Sequence, residues 1–245
     1  MCSFFSLVST GDGKALYFDG KKRKKIREEG LDYEQDSHSS ISSYYGYQGE
    51  KEDILNKYEY NPFLGVFIIN QKNNKTDDSG IIKEFCEQLD FKTIVPELNI
   101  HPLVDPFKDF SVTKVTKKDL ELLKKWALVY PLIWDVVKNT ICNSIGTSVW
   151  NSVRDSIKES VEDSVWNIAM ESVEDSSWDE IGDSVRAAAR AYISSFFNLK
   201  RWRYIKHKKG ENPFQSCIDL WNRGIIPSFD GKNWRLHGKD GKEIY

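Results

Sequence analysis

Cysteine, histidine and methionine are scarce in this chain, at four, four and two of 245 residues. The cysteines (Cys2, Cys86, Cys142 and Cys217) lie far apart and show no metal-ligand spacing. They read as reduced thiols, and the scattered histidines add no metal site. The sequence has no phosphate-cradling P-loop, dinucleotide fingerprint or zinc pattern, so no cofactor and no metal are expected. Long apolar runs are missing too. The longest, Ala127–Trp134, contains Pro131 and is far too short to span a bilayer. Met1–Val8 is short, broken by serine and without a basic leader, unlike a secretory signal. The expectation is a soluble, cytoplasmic protein with no membrane partner.

What is present fits an ordered chain, with 40% hydrophobic and 29% charged residues. Eight tryptophans imply large flat surfaces that are buried or used for contact. The net charge of −2 is unevenly spread. Residues 144–190 hold ten acidic against four basic side chains, and 196–245 hold eleven basic against five acidic. Such segments either pair with one another, within a chain or between copies, or face solvent separately.

The order of signals predicts an α+β chain in four parts. Residues 1–100 read as a small α/β unit. Its strands are Ser3–Ser9 and Ala15–Asp19 around the Gly11-Asp12-Gly13 turn, with a hairpin pairing Lys57–Tyr60 and Val66–Asn70. Its helices are Lys21–Glu29 and Ser79–Leu89, with a helical turn near Ser39–Tyr45. Pro102 and Pro106 make 101–118 an extended connector. A repeat array follows over 119–197, then a basic helix–hairpin cap over 198–245.

The array is a tetrapeptide repeat without a phase slip. One column is aliphatic at nearly every step from Val129 to Ile193, with Ser177 the break. The column before it is serine at nine of eleven positions from 144 to 184, and the one before that is polar or acidic. The fourth column holds five of the eight tryptophans (Trp126, Trp134, Trp150, Trp166 and Trp178), together with Arg154, Arg186 and Arg190. On an α-helix a four-residue stripe advances about 40° per repeat, so the array must break near Asn143–Gly146 and Gly182 to keep its stripe on one side. A β-solenoid suits valine and serine by propensity, but alternation would place the acidic column beside the valines. Acid-to-base spacing of three, as in Asp155–Lys158 and Asp183–Arg186, favours the helical reading, and the solenoid stays as the alternative.

Several segments carry a resemblance: MCSFFSLV at Met1–Val8, DSHSSI at Asp36–Ile41, NKYEYNP at Asn56–Pro62, the tetrads, AYISSFF at Ala191–Phe197 and PSFDGKNWRLHG at Pro227–Gly238. Together they resemble an uncharacterised family of proteins from bacteriophages and host-associated bacterial metagenomes. The array here is less regular, interrupted by Ile168-Ala169-Met170 and Ser177. The resemblance implies a phage or mobile-element origin and action in the host cytoplasm. It carries over no catalytic residue.

Candidate sites are few. Cys2, exposed by removal of Met1, would be an N-terminal nucleophile, but no glycine-rich segment follows it. Asp36-Ser37-His38 cannot form a triad among adjacent residues and reads as a cap or turn. Lys21–Arg27 reads as a solvated helix face. Lys200–Lys209 sets Arg201, Arg203 and Lys206 around Trp202 and Tyr204, a pattern that stacks on bases and meets phosphates. Docking on the acidic strip Asp155, Glu159, Asp163, Glu171 and Asp175 is its alternative. In the array, Trp150, Arg154, Trp166, Trp178 and Arg186 are either core or a recognition surface. The leading reading is a non-catalytic binding protein, expected to be a homo-oligomer, whose repeat surface engages a host protein or its own copies. The alternatives are a counter-defence protein that sequesters an anionic nucleotide signal and, third, an N-terminal-cysteine hydrolase.

Overall fold

The first hundred residues build a three-stranded antiparallel sheet, ordered β1 (Phe5–Ser9), β2 (Asn56–Asn61) and β3 (Val66–Gln71). The computed structural model describes residues 5–171 and 178–245, except for the side chains of Ser148 and Glu159. The chain is α+β, with helices and two small antiparallel sheets, and no closed solenoid occurs among the described residues. Contacts divide it into two units, Met1–Ile100 with Thr147–Val153, and His101–Gly146 with Arg154–Tyr245.

In the first unit, Leu7 lies opposite Tyr58, and Glu59 lies opposite Ile68. The strand expected at Ala15–Asp19 is only a single bridge, Val8 to Leu16, because the chain turns at Asp19 to cap a helix. That helix, α1 (Gly20–Glu29), starts where the Asp19 carboxylate accepts the Lys22 amide and ends at the left-handed Gly30. Helices α2 (His38–Tyr44), α3 (Ser79–Gln88) and α4 (Phe91–Ile94) complete the unit. Val8, Phe18, Ile26, Ile41 and Leu55 form a core ringed by Tyr33, Tyr44 and Tyr45.

Two polar features organise this core. Arg23 departs from the solvated face expected of Lys21–Arg27. It is buried, its Nε donates to the Phe18 carbonyl at 2.9 Å, and its guanidinium pairs with the buried Asp36. Asp78 is a buried carboxylate without a cation. It accepts hydrogen bonds from Ser9 Oγ, the Gly13 amide (3.0 Å), Asn56 Nδ2 (3.0 Å) and the Tyr58 hydroxyl (2.6 Å). Burial opposes its ionisation, but these donors outweigh that and hold the carboxyl below its ordinary range. One side chain thereby ties β1, the 10–13 turn, β2 and the start of α3 together.

In the second unit, α5 (Lys117–Val129) opens with a reciprocal cap between Thr116 and Asp119. A 3₁₀ turn at Tyr130–Leu132 leads into α6 (Ile133–Ser144). Gly146, at φ 119°, separates α6 from α7 (Thr147–Ile157), whose residues Thr147–Val153 belong to the first unit. A π-helical turn, Lys158–Glu162, joins α7 to α8 (Asp163–Glu171), and α9 (Trp178–Ser194) follows. Every described member of the aliphatic column from Ile133 to Ile193 is buried. The break at Gly146 and the π turn explain how, whereas Gly182, the other expected break, lies buried within α9. An α-helix closes a turn in fewer than four residues and a π turn takes more than four, so the wide turn reverses the drift of the stripe. Val173 and Ser177 lie outside the described residues.

Helix α9 is the hub of the second unit and packs against α6, α8, α10 (Gln215–Trp221) and β4 (Ile226–Phe229). Strand β4 pairs with β5 (Trp234–His237) in an antiparallel hairpin. The serine column lets backbones meet closely: Ser184 Oγ donates to the Ile181 carbonyl and accepts the Phe229 amide, both at 2.8 Å. Asp119 is buried, and Arg223 past the end of α10 reaches it at 2.7 Å.

Two stability predictions follow from these buried groups. Asp78→Ala leaves four donors without their acceptor and should cost about 3 kcal/mol or more in urea unfolding. His38 and His237 are buried and hydrogen-bonded to the Tyr58 and Gly241 carbonyls. Burial lowers the pKa of both below the ordinary histidine value. Their contribution is therefore full above pH ~6.5 and lost as pH falls through that value toward the folded-state pKa. The melting temperature should drop between pH 7.5 and 5.5, and His237→Gln should flatten that slope.

Candidate functional site

The basic segment folds into a loop closed at its base, where the Gly210 amide donates to the Lys200 carbonyl at 3.0 Å. Trp202 is its anchor, 4% exposed and edge-on to Phe214 with ring centroids 5.9 Å apart. Its amide donates to His207 Nε2 at 3.0 Å, which fixes the tautomer whose Nδ1–H donates to the Ile205 carbonyl. The next amide, that of Arg203, donates to Thr140 Oγ1 on α6 at 3.1 Å. Four hydrogen bonds and one ring contact therefore hold a segment that has no regular secondary structure.

What the loop presents is the reverse of its anchor. Tyr204 is 71% exposed and sits at φ 64°, a left-handed backbone that a tyrosine adopts only at a cost. Arg201 and Arg203, on either side of Trp202, reach solvent, as do Lys206 and Lys209. Among the described residues none of these four cations has an ion-pair partner, and Lys208 alone pairs, with Glu211 at 3.7 Å. Of the expected docking strip, Asp155 pairs with Arg154 at 2.7 Å, Asp163 and Glu171 are exposed, and Asp175 and the Glu159 side chain lie outside the described residues.

The array candidates separate from the loop and from one another. Trp150 is fully buried and is core. Arg154 lies against its neighbour Asp155, so the expected Asp155–Lys158 pair gives way to an adjacent one, whereas Asp183 does reach Arg186 at 3.6 Å. Arg186 stacks over Trp166 with its guanidinium carbon 4.9 Å from the ring centroid. One turn further along α9, Arg190 stacks over Trp134 at 4.2 Å. These stacks fasten α8 and α6 to α9, each contributing roughly 0.5–2 kcal/mol. Burial lowers the pKa of Arg190 and raises that of the neighbouring Glu162, so the ladder behaves as a partly desolvated clasp. Trp178 is exposed.

Nothing described assembles into catalytic machinery. Cys2 lies outside the described residues. Asp36, Ser37 and His38 diverge: Asp36 pairs with Arg23, Ser37 caps α2 through the Ser40 amide, and His38 Nε2 meets the Tyr58 carbonyl at 2.9 Å. A cleft of 270 Å³ in the first unit is walled by Tyr60, Phe91, Leu89 and Cys86. Burial pushes the Cys86 thiol up to about 12, so it stays protonated and unreactive there. Sequence reasoning missed one nucleophile–base contact, Ser228 Oγ to His237 Nε2 at 2.7 Å, with His237 Nδ1 on the Gly241 carbonyl at 2.9 Å. Both side chains are wholly buried, so no substrate reaches them, and the pair ties the hairpin to the 239–241 turn. Among the described residues no His/Cys/Asp/Glu group suits a metal, and no helix is long and apolar enough to cross a membrane.

The chain matches no protein-family model, no curated protein and no solved structure.

The strain at Tyr204 gives a direct test of the loop. Tyr204→Gly should raise stability by about 1 kcal/mol, because glycine takes the left-handed backbone freely. Trp202→Ala should lower it by about 3 kcal/mol through loss of a buried ring. Urea denaturation of the two variants distinguishes tip from anchor.

Proposed function

We propose that this chain is a non-catalytic binding protein whose contact site is the 200–210 loop, and that its ligand is an anion bearing both phosphates and stackable bases. The observation that carries this reading is Tyr204, held exposed in a strained backbone among Arg201, Arg203, Lys206 and Lys209, which lack ion-pair partners among the described residues. A strained aromatic left 71% exposed is suited to contact, since folding alone favours glycine there. Guanidinium and ammonium groups meet phosphates, and a phenol ring offers a stacking face to any base. The two Arg–Trp stacks along α9 fasten helices to one another and are not part of the proposed contact site.

The resemblance to phage and metagenome proteins implies action in a host cytoplasm, where sequestering a nucleotide signal or single-stranded nucleic acid would act as counter-defence. This reading needs no cofactor and no catalytic residue. It keeps a host macromolecule as partner only where that partner presents phosphates.

Fluorescence anisotropy with labelled single-stranded DNA, single-stranded RNA and a cyclic dinucleotide tests it. Binding of at least one probe is expected, weakening steeply between low and physiological salt as counterions are released. Arg201→Glu with Arg203→Glu should abolish that binding with the melting temperature unchanged. Tyr204→Gly should weaken it while stabilising the fold. No binding by any probe, or a reversal variant that binds normally, would reject the loop as the site. A large loss of melting temperature in the reversal variant would assign the loop to internal docking.

A further inference from the structure

The sheet of the first unit treats its two edges differently. Strand β1 is buried at all five residues, with α2 packed on it and Leu16 bridged to Val8. Strand β3, at the other edge, is exposed at five of its six residues, on both faces. Val66, Ile68 and Ile69 are 44%, 40% and 43% exposed, and Leu64 in the turn before them is 38% exposed. From Tyr60 to Gln71 there is no charged residue, in a chain that is 29% charged. The outer side of β3 also offers unpaired backbone amides and carbonyls, a template for another strand. Edges left open in monomers are guarded by lysine, by proline within the strand or by an inward charge, and β3 has none of these.

We infer that β3 is the contact through which two copies of this chain associate, edge to edge and antiparallel, joining two three-stranded sheets into one of six. A second copy is the occupant because the strand is self-complementary. Pairing about a two-fold axis at Ile68 sets Ile68 against its own counterpart and Phe67 against Ile69, so apolar side chains meet on both faces and no charge is buried. A foreign peptide strand would be selected by pockets or charges beside the edge; β3 itself carries no charge, and the charged residues opposite it on β2 are engaged within the chain, Glu59 with Asn70 and Lys57 with Glu52. One strand and its turn fall short of the roughly 1,000 Å² that a stable interface buries, so the dimer is a reversible, concentration-dependent one. It is independent of the cationic loop and differs from it in salt response, because uncharged contacts do not weaken as counterions are added.

Sedimentation velocity of the full chain from low to high micromolar concentration, at low and high salt, tests the inference. A monomer–dimer equilibrium is expected, unweakened by salt. Hydrogen exchange should show β3 amides protected at high concentration and released on dilution. Ile68→Lys with Ile69→Lys changes only exposed positions and should give a monomer throughout, with an unaltered circular dichroism spectrum. A wild-type chain that stays monomeric at high concentration overturns the inference. So does a dimer that survives the double substitution, or one whose formation leaves β3 exchange unchanged.

Discussion

A hydrophobic period of four residues does not fit a helix that turns every 3.6, and much of the second unit is a response to that mismatch. A straight helix through the array would carry its valine stripe around the axis and expose half of it. The chain interrupts itself at Gly146 and widens by a π turn at Lys158–Glu162. Each interruption turns the stripe back before it leaves the core, and the aliphatic column stays buried from Ile133 to Ile193 wherever it is described. The neighbouring columns then acquire fixed roles. Serine, small and hydrogen-bonding, faces backbone, as Ser184 faces Phe229. Part of the tryptophan–arginine column falls at the margin of the core, where the Trp134 and Trp166 indoles are each covered by a guanidinium, whereas Trp126 and Trp150 are wholly buried.

Local chemistry was the part of this architecture legible in the sequence. Gly30 ends α1 just past the expected Lys21–Glu29, Pro62 and Gly65 lie in the turn between β2 and β3, and period-four patterning with acid–base spacing of three marked helices over the array, whereas the cap at Asp19 was read as the end of a strand. Burial of single polar residues was not legible. Arg23 sits in a run of cations, and nothing in that run says that one of them reaches Asp36, thirteen residues away in the chain. Asp78 likewise draws its donors from Ser9, Gly13, Asn56 and Tyr58, a convergence made only by tertiary folding. The π turn was out of reach as well, since a four-residue repeat by itself does not say which repeat will absorb the strain.

The candidate site divides in the same way. The composition of the 200–210 loop, basic with two aromatics, was visible in the sequence, but the two aromatics read as equivalent. Folding assigns them opposite duties: Trp202 anchors, and Tyr204 is displayed. The array tryptophans divide too, with Trp150 in the core, Trp166 under an arginine and Trp178 exposed, although all three share one column. A column fixes the side of a helix, whereas burial depends on which neighbour happens to lie opposite. The loop gains its rigidity from contacts that no periodicity encodes, such as the Arg203 amide on Thr140, sixty-three residues away in the chain.

The division of the chain into units has a consequence for inheritance. The stretch Thr147–Val153 belongs to the first unit, yet it is flanked on both sides by sequence of the second. Neither unit is a contiguous cassette. A single crossover near residue 100 would deliver a first half without its last seven residues, and the remainder would carry those seven without the unit they belong to. Tetrapeptide repeats gain and lose copies readily at the level of DNA, but an added tetrad between Gly146 and α9 would shift that short stretch or the stripe beyond it. Variation is therefore cheapest by substitution in the fourth column, where tryptophan, arginine, glutamate and lysine already alternate.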